Sequence, residues 1–353
     1  MAKRIKIKEK DPKRTEISTL GEFGLIKHLT KKFELKNASS KLGIGDDAAV
    51  IDNKGDLTVV STDLLIEGIH FDLVYTPLKH LGYKSVVVNL SDIYAMNAIP
   101  QQITYSIGVS NRFSVEALNE LYEGIRIACD KYTVDLVGGD TTSSLKGLII
   151  SVTAVGVGDK KSIVRRNTAK VGDSICVTGD LGGAYLGLQL LEREKEIFLD
   201  DSKIQPDFEK QDFLIRRFLM PEAKQEIIDF FHAEKIIPTA MIDISDGLSS
   251  ELLHICQDSG VGGNIYDVKI PIENETKQLA FKFDLDPTTC ALNGGEEYEL
   301  LFTIKEKDLE KIAERPDITI IGMITEKKDG IKLVGNTGNK HDITAQGWDP
   351  IKE

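Results

Sequence analysis

Apolar residues recur along the first half of the chain with the periods of both helices and strands. Residues 80–97 place apolar side chains around most of a helical circumference, which predicts a helix buried on nearly all sides. Residues 114–132 carry apolar side chains on one face, the spacing of an amphipathic helix. Apolar and β-branched runs predict strands at residues 57–62, 101–109, 134–139 and 147–158. Helices and strands therefore alternate.

The second half of the chain repeats this alternation after a change of turn chemistry near residues 165–173. Apolar runs predict strands at residues 174–178, 239–243, 299–304 and 318–324. Helices are predicted at residues 179–191, near 210–232, from Asp246 onwards and near 307–314. The regular alternation indicates an α/β class of mixed α and β structure with two domains.

The chain divides into three predicted regions. Residues 1–17 are predicted to form a flexible tail, because they are rich in basic residues and lack an apolar period. Residues 18–164 form the predicted N-terminal domain, which opens with a helix carrying the capping-box pair Thr19 and Glu22. Residues 165–353 form the predicted C-terminal domain.

Composition and charge narrow the classes of function. The 353 residues have a formal net charge of −12, which argues against a nucleic-acid-binding protein. Every apolar run is shorter than the ~20 residues that a membrane helix needs, so no membrane association is predicted. The four cysteines lack the spacing of a zinc site, and no apolar region of a signal peptide follows the basic N-terminus. We therefore predict a cytoplasmic protein with reduced thiols.

Carboxylates occur at the ends of, or inside, several apolar or glycine-rich segments. These segments are residues 43–50, 61–63, 88–96, 136–142 and 241–248. Each segment alone has an ordinary explanation as a helix cap, a turn or half of a salt bridge. Together their charges would repel one another, and several divalent cations would offset that repulsion. The whole set therefore predicts metal-bound phosphate chemistry.

Three of these segments indicate which side chains would face a cation. Asn89 and Asp92 share one face of the apolar helix, where an unpaired carboxylate would be costly to bury. The other two segments offer runs of oxygen-bearing side chains, namely Ser61, Thr62 and Asp63, and Asp243, Ser245 and Asp246. A hard cation, a salt-bridge partner or a helix cap would each satisfy such groups.

Residues 136–142 place two glycines and an aspartate directly after a strand. Gly139 allows the backbone to approach a phosphate closely, and Asp140 could hold the magnesium ion of that phosphate. The sequence contains neither a Walker A loop nor the Rossmann glycine pattern. A phosphate site in this protein must therefore be built in another way.

The order of these segments resembles the thiamine-monophosphate kinase family. The matching stretches are GEFGLI, GIGDDAAV, STDLLIEGIHF, GYKSVVVNLSDIYAMNAIP, GGDTT, RRNTAKVGDSICVTGDLGGAYLGL, MIDISDGL and NGGEEYELLFTI. The family belongs with aminoimidazole ribonucleotide synthetase, selenophosphate synthetase and the hydrogenase-maturation dehydratase, all of which use ATP. The resemblance implies a two-domain aminoimidazole ribonucleotide synthetase-like fold. It also implies a homodimer in which the N-terminal sheets of two subunits form a barrel.

The resemblance further implies an activity and a set of site residues. ATP, as co-substrate, would phosphorylate thiamine monophosphate to thiamine diphosphate with the help of several Mg²⁺ ions. The magnesium ligands would be Asp47, Ser61, Thr62, Asp63, Asp92, Asp140, Asp243 and Asp246. ATP would contact Gly139, Asp140, Arg166, Ser245 and Tyr122, with Arg166 and Asp140 acting in catalysis. Thiamine monophosphate would contact His70, Glu296 and Trp348.

Four of these residues also have a purely structural explanation. Arg166 could be an exposed linker residue, and His70 could be a satisfied histidine of the core. Glu296 could simply begin a strand. Trp348, the only tryptophan, could dock the C-terminus or stack on an aromatic ligand ring.

One departure from the family pattern and several rival functions accompany the resemblance. The family usually has Gly-Gly-Glu-Asp-Tyr where this chain has Glu297 in the fourth position. No cysteine precedes Cys129, unlike in selenophosphate synthetase, and the sequence does not end in the cysteine of the hydrogenase-maturation enzyme. Aminoimidazole ribonucleotide synthetase and a non-catalytic nucleotide-binding regulator are the alternatives that these residues leave open.

Overall fold

The computed structural model describes residues 36, 38–42 and 45–345, together with Gly24 and Lys27, which lie in a helix. The predicted tail, the rest of the helix predicted after Thr19, and Trp348 lie outside the described residues. Two β-sheets with helices packed on them make up the part described below.

The first sheet has one buried face and one open face. Its strands in the described residues are β1 (Ser40–Leu42), β2 (Ala49–Asp52), β3 (Leu57–Ile66), β4 (Ile99–Val109), β5 (Asp135–Gly138), β6 (Thr141–Ser143) and β7 (Ile149–Gly158). They lie in the order β1-β2-β3-β7-β4-β5, and β6 also pairs with β4. Neighbours are antiparallel, except that β5 and β6 run parallel to β4.

Two helices cover the buried face of the first sheet in layers. Helix α1 (Leu78–Ala95) lies directly on β3, β4 and β7 and is buried almost all round, as its continuous apolar sequence predicts. Helix α2 (Val115–Tyr132) packs on α1 and shows the predicted one-sided apolar spacing. The side chain of Ser114 accepts a hydrogen bond from the amide of Ala117 and caps α2.

The close contact between α1 and α2 depends on two glycines. A Cβ atom on Gly82 of α1 would lie 1.9 Å from the carbonyl oxygen of Leu121. A Cβ atom on Gly124 of α2 would lie 1.9 Å from the carbonyl oxygen of Lys79. Because both obstacles are backbone atoms, neither side chain rotation nor local repacking can remove the clash.

The second sheet is mainly antiparallel. Its strands in the described residues are β8 (Ser174–Thr178), β9 (Ala240–Asp243), β10 (Gly262–Tyr266), β11 (Leu300–Ile304), β12 (Ile318–Thr325), β13 (Ile331–Val334) and β14 (Lys340–Asp342). They lie in the order β14-β13-β10-β12-β8-β11-β9. Only β10 and β13 are parallel neighbours among these strands.

The helices of the second half vary in length, from the 18 residues of α3 to the four residues of α9. In the described residues they are α3 (Gly183–Asp200), α4 (Asp212–Leu219), α5 (Gln225–Glu234), α6 (Leu248–Ser259), α7 (Asn274–Lys282), α8 (Pro287–Asn293) and α9 (Leu309–Ile312). None of the helices in the described part of the chain is long and apolar enough to cross a membrane.

The mixed α and β class predicted from the sequence is confirmed, as are the principal strands and helices. Strand β8 has the predicted bounds, whereas α3 continues nine residues beyond its predicted end at residue 191. The predicted domain boundary at residues 164/165 falls in the segment between β7 and β8, and it stays a prediction. Helix α1 spans the interior of both halves, because its residues contact β9 of the second sheet as well as the first sheet.

We expect Gly124→Ala to destabilise the protein by roughly 2–3 kcal/mol, since the added methyl group forces α1 and α2 apart. Chemical denaturation followed by far-UV circular dichroism measures this change. Gly55→Ala is the matched control, because a Cβ atom on Gly55 meets nothing within 4 Å. Equal stabilities for the two variants would show that the helices can separate without cost.

Candidate active site

Acidic side chains meet where helix α1 faces strands β3 and β9. Strand alternation places Ser61 and Asp63 on the buried face of β3. The Ser61 hydroxyl donates a hydrogen bond of 2.5 Å to the carboxylate of Asp92 on α1. The adjacent Ser91 hydroxyl donates a hydrogen bond of 2.6 Å to the carboxylate of Asp243 at the end of β9. Helix α1 therefore links acidic residues from both sheets.

Asp47 joins this acidic group from the bend before β2. The hydroxyl oxygen of Ser61 lies 3.2 Å from the backbone carbonyl oxygen of Asp47. The guanidinium group of Arg166 lies 3.7 Å from the Asp47 carboxylate and donates a 3.0 Å hydrogen bond to Asp258. The Oδ2 atom of Asp47 is buried without a hydrogen-bond partner. This oxygen is therefore oriented for a group that the protein itself does not supply.

The carboxylates in this region have raised pKa values. Burial raises the pKa of Asp47 well above its usual value, and the charge of Asp243 adds to the effect. Burial likewise raises the pKa of Asp92 well above its usual value, with further contributions from Asp63 and Asp243. Burial also raises the pKa of Asp243, to about 6. Burial is therefore the main obstacle to ionisation of these carboxyl groups, and repulsion between Asp47, Asp92 and their acidic neighbours adds to it.

The turn into α6 adds a carboxylate that the sequence analysis did not single out. The amide of Asp246 donates a 3.0 Å hydrogen bond to Oε1 of Glu251, in the first turn of α6. The Oε2 atom of Glu251 is buried without a hydrogen-bond partner, and burial followed by the charge of Asp246 raises the pKa of Glu251. An acidic residue in the first turn after Asp-Gly is a helix-start pattern that could have drawn attention to Glu251.

Two of the predicted magnesium ligands lie apart from the acidic group, which consists of Asp47, Asp63, Asp92 and Asp243 with the hydroxyl of Ser61. The side chain of Thr62 is on the open face of the first sheet, where its hydroxyl donates to the carbonyl oxygen of Val152. Asp140 is exposed, and its carbonyl oxygen accepts a hydrogen bond from Ile107 of β4. Strands β4 and β7 separate β6 from β3, a distance of about 14 Å across the sheet.

Three of the predicted ATP contacts surround Tyr105 of β4. Gly139 has a φ of +155°, and a Cβ atom there would lie 1.9 Å from the Tyr105 carbonyl oxygen, so only glycine fits. The ring of Tyr122 on α2 lies 6.1 Å from the Tyr105 ring. Asp140 follows Gly139 directly. These three of the five predicted ATP contacts therefore lie near Tyr105.

The other two predicted ATP contacts, Arg166 and Ser245, lie beside the acidic group. Arg166 contacts Asp47, as described above. Ser245 follows Asp243 by two residues, and its carbonyl oxygen accepts a 2.7 Å hydrogen bond from the amide of Glu296. This backbone contact joins the acidic group to the segment that carries Glu296.

Two of the predicted thiamine contacts lie close to a buried lysine. Lys84 of α1 is only 3% exposed, forms an ion pair with Glu296, and lies 3.8 Å from the ring centroid of Phe218. His70 accepts a 3.0 Å hydrogen bond at Nδ1 from the amide of Ile66. Burial lowers the pKa of His70, while Glu296 and Lys84 act on that pKa in opposite directions. Trp348, the third predicted contact, lies outside the described residues.

Lys84 and Tyr298 are site residues that sequence reasoning missed. A lysine inside the apolar run of α1 was a visible sign of a buried cation, but its partner Glu296 is distant in sequence. Burial raises the pKa of Tyr298 well above its usual value, and Glu296, Asp63, Asp243 and Asp246 all add to this shift. The segment that carries Tyr298 connects the two regions, because the amide of Tyr298 donates a 2.8 Å hydrogen bond to the carbonyl oxygen of Ile244, next to Asp243, and Glu296 pairs with Lys84.

The residues of the acidic group fit magnesium. Their donor atoms are carboxylate and hydroxyl oxygens, which Mg²⁺ prefers, and the unpartnered Oδ2 of Asp47 is available to it. Among the described residues, no three histidine, cysteine or acidic side chains converge into a complete cage. Magnesium usually keeps several waters and binds one or two carboxylates together with substrate phosphates. The arrangement therefore suits ions that are shared with a phosphorylated ligand.

Family profiles match both halves of the chain. The N-terminal domain of AIR synthase related proteins matches residues 45–158, and the C-terminal domain of the same proteins matches residues 170–334. A solved structure of AaThiL complexed with AMPPCP and TMP is similar to this chain with a TM-score of 0.81 and 33% identity. The similarity covers 96% of this chain and 99% of that chain.

Curated relatives extend the similarity over almost the whole sequence. The thiamine-monophosphate kinase of Aquifex aeolicus (strain VF5) is 34% identical over 332 residues, which cover 94% of this chain and 98% of the relative. The thiamine-monophosphate kinase of Buchnera aphidicola subsp. Schizaphis graminum (strain Sg) is 40% identical over 322 residues, covering 89% and 94% respectively. The chain therefore belongs to the thiamine-monophosphate kinase family within the AIR synthase related proteins.

Proposed function

We propose that this chain uses ATP to phosphorylate thiamine monophosphate, giving thiamine diphosphate. One observation carries the proposal: acidic side chains from β3, α1, β9 and the bend at Asp47 meet at one buried place beside Arg166. Such a concentration of carboxylates suits a reaction in which metal ions hold two phosphorylated substrates together. The similarity to AaThiL complexed with AMPPCP and TMP indicates which two substrates these are.

The proposed magnesium ligands are the acidic group and its neighbours. Asp47, Asp63, Asp92 and Asp243, together with Ser61, would hold ions near the β3–α1–β9 contact. The resemblance adds Thr62, Asp140 and Asp246 as further ligands. Bound magnesium would reduce the repulsion between the two phosphate groups.

The protein would contribute positioning and charge rather than a nucleophile. The acceptor phosphate is already an anion at neutral pH, so the transfer needs no strong general base. Arg166 would form charge-assisted hydrogen bonds to the transferring phosphate group. The resemblance also assigns Asp140 a catalytic role. Gly139, Tyr122 and Ser245 would contact ATP.

His70 and Glu296 would form the thiamine end of the site. The thiazolium ring of thiamine is positively charged, so the carboxylate of Glu296 complements it. The lowered pKa of His70 keeps its imidazole neutral at physiological pH, which avoids repulsion of that ring. Trp348 is proposed as a third contact on the resemblance alone.

A cytoplasmic location stays a prediction. All four cysteines, which lie in the described part of the chain, are free thiols. Free thiols are typical of proteins in reducing compartments.

We also propose a homodimer formed through the open face of the first sheet. Val60, Leu64 and Val155 lie on this face, and Leu64 is 51% exposed. A second copy of the chain could cover these apolar side chains by two-fold symmetry.

Purified protein incubated with MgATP and thiamine monophosphate is expected to form thiamine diphosphate and ADP in equal amounts, as measured by chromatography. Activity should continue to rise when free magnesium is added beyond the ATP concentration, because the site has more carboxylates than one MgATP requires. Binding of ATP without turnover would instead favour the alternative of a non-catalytic nucleotide-binding regulator. ATP turnover only with an amide-containing acceptor would favour an enzyme like aminoimidazole ribonucleotide synthetase.

Asp92→Asn is expected to lower turnover on the order of 100-fold or more and to lower the affinity for magnesium, since it removes a central charge. Without magnesium, the variant should be as stable as the wild type or more stable. Its advantage should grow as pH rises above the ordinary pKa of an aspartate. The raised pKa of Asp92 means that the unfolded chain releases this proton at a lower pH than the folded protein does, so wild-type stability falls with rising pH until the folded carboxyl also ionises.

Thermal unfolding without magnesium, alongside activity against magnesium concentration, measures both effects of Asp92→Asn. The histidines with lowered pKa values are present in both proteins, so their contributions to the pH dependence cancel in the comparison. Asp329→Asn, at an exposed position, is the matched control and should change neither quantity. A variant that unfolds earlier but keeps normal magnesium dependence would show that Asp92 is a structural residue.

Light scattering at micromolar concentration is expected to give about twice the 39.0 kDa mass of one chain. Leu64→Glu should shift the mass towards the monomer, because the new charge would be buried without a partner in the interface. Val268→Glu, at another exposed apolar position, should leave the mass unchanged. A wild-type monomer would exclude the proposed dimer at that concentration.

A further inference from the structure

A network of buried charges lies behind the segment that carries Glu296. Residues 294–299 run beside Asp243 and Ser245, and the amide of Tyr298 donates a 2.8 Å hydrogen bond to the carbonyl oxygen of Ile244. Glu296 contacts Lys84, whereas Glu297 and Glu299 contact Arg217 of α4. The segment is therefore attached to more than one cation through its glutamate side chains.

Arg217 connects three positions at once. Its Nη2 atom donates hydrogen bonds to the Glu297 carboxylate at 2.5 Å and to the Asp180 carbonyl oxygen at 2.9 Å. Its Nη1 atom donates a hydrogen bond to the Glu299 carboxylate at 2.9 Å. Glu297 is fully buried and Glu299 is 1% exposed, so both carboxylates depend on protein partners. A planar guanidinium group can make these bonds together, and an ammonium group cannot.

Each of the two glutamates also has partners other than Arg217. Glu297 accepts a 3.1 Å hydrogen bond from the amide of Ala184, in the first turn of α3. Glu299 accepts hydrogen bonds of 2.6 Å from Lys224 and from Thr178. Without Arg217, Lys224 would be the cation nearest to two buried carboxylates, and their repulsion would displace the segment.

The backbone of the segment needs such support. Glu296 has a φ of +68° and Tyr298 a φ of +53°, both in the left-handed region that side chains other than glycine rarely adopt. Such conformations persist where the surrounding structure fixes them, and they occur often at ligand sites. The contacts of Arg217 are made by Glu297 and Glu299, the residues on either side of Tyr298.

Helix α4 also supports the partner of Glu296. Phe218, the residue after Arg217, places its ring 3.8 Å from Nζ of Lys84. Adjacent residues of α4 therefore support both members of the Lys84–Glu296 ion pair. Arg217 holds the segment that carries Glu296, and Phe218 contacts Lys84.

We infer that Arg217 is a positioning residue that directs Glu296 towards the thiamine ring by holding Glu297 and Glu299. This inference rests on the proposed function, because it takes thiamine monophosphate as the ligand of Glu296. It also gives Glu297 a role: its side chain spans from the segment to both Arg217 and Ala184. Arg217 itself does not touch the substrate.

Arg217→Lys tests the inference, because it keeps the charge but removes the planar fork. The KM for thiamine monophosphate should rise about tenfold, while the KM for ATP stays within about twofold. The matched control is Arg216→Lys, which alters the neighbouring exposed arginine, paired with Glu222 on the surface. Glu297→Gln removes one charged partner of Arg217 and should raise the KM for thiamine monophosphate in the same way, even if Arg217→Lys folds poorly.

A double-mutant cycle separates positioning from general damage. Because Arg217 acts through Glu296, adding Arg217→Lys to Glu296→Gln should raise the KM for thiamine monophosphate less than twofold further. The inference would be overturned if the KM increases of the two single variants multiplied in the double variant. It would also be overturned if Arg217→Lys left the KM for thiamine monophosphate unchanged. These outcomes all require an active wild type, so a wild type that forms no thiamine diphosphate contradicts the proposed function instead.

The imidazole of His70 provides a readout that does not depend on activity. Glu296 raises the pKa of His70 and Lys84 lowers it, so displacement of Glu296 should lower that pKa further. NMR titration, with the resonance assigned by His70→Gln, should show this decrease in Arg217→Lys and no change in Arg216→Lys. An unchanged His70 titration in Arg217→Lys would show that Arg217 does not position Glu296.

Discussion

The structure depends on one constraint: five polar side chains inside the buried helix α1, from Lys84 to Asp92, must find partners on other elements. Ser85 contacts Tyr105 of β4, Asn89 accepts from the amide of Asp63 on β3, and Ser91 and Asp92 contact Asp243 and Ser61. Lys84 contacts Glu296. An apolar helix would pack on both sheets without a fixed rotation, whereas these five contacts determine which residues meet. The same contacts that orient the helix therefore assemble the site.

The constraint has an electrostatic consequence. Asp92 and Asp243 are held by neutral hydroxyl groups rather than by cations, so their hydrogen bonds do not remove their charge. Arg166 lies 3.7 Å from Asp47 but also neutralises Asp258. Folding thus buries these carboxylates close together: burial is the main cause of the raised pKa values of Asp47 and Asp92, and the charges of neighbouring aspartates add to it. Glu297 and Glu299, by contrast, are bound directly by Arg217.

Much of the fold could be predicted from local sequence, because apolar periodicity reflects burial. Helix α1 and strands β3, β7 and β8 follow from this pattern. Strand β10, with the sequence GGNIY, was missed, since its two glycines suggest a turn and its pairing with β12 and β13 is non-local. The acidic residues of the site were identifiable because buried carboxylates are unusual. Lys84 and Arg217 were not identified, because their importance comes from partners more than 70 residues away in sequence, which no local pattern reveals.

The predicted site residues also differ in how far the fold alone positions them. Asp63, Asp92 and Asp243 are fixed by buried contacts to α1, so their arrangement follows from packing of the core. Asp140 and Tyr122 are exposed near Tyr105, and Thr62 faces the open side of the first sheet. Residues of the second kind make some contacts within the chain, but their exposure leaves them accessible to a ligand or to a second copy of the chain. The buried group is thus a property of the folded chain, whereas the exposed group would complete the site on binding or assembly.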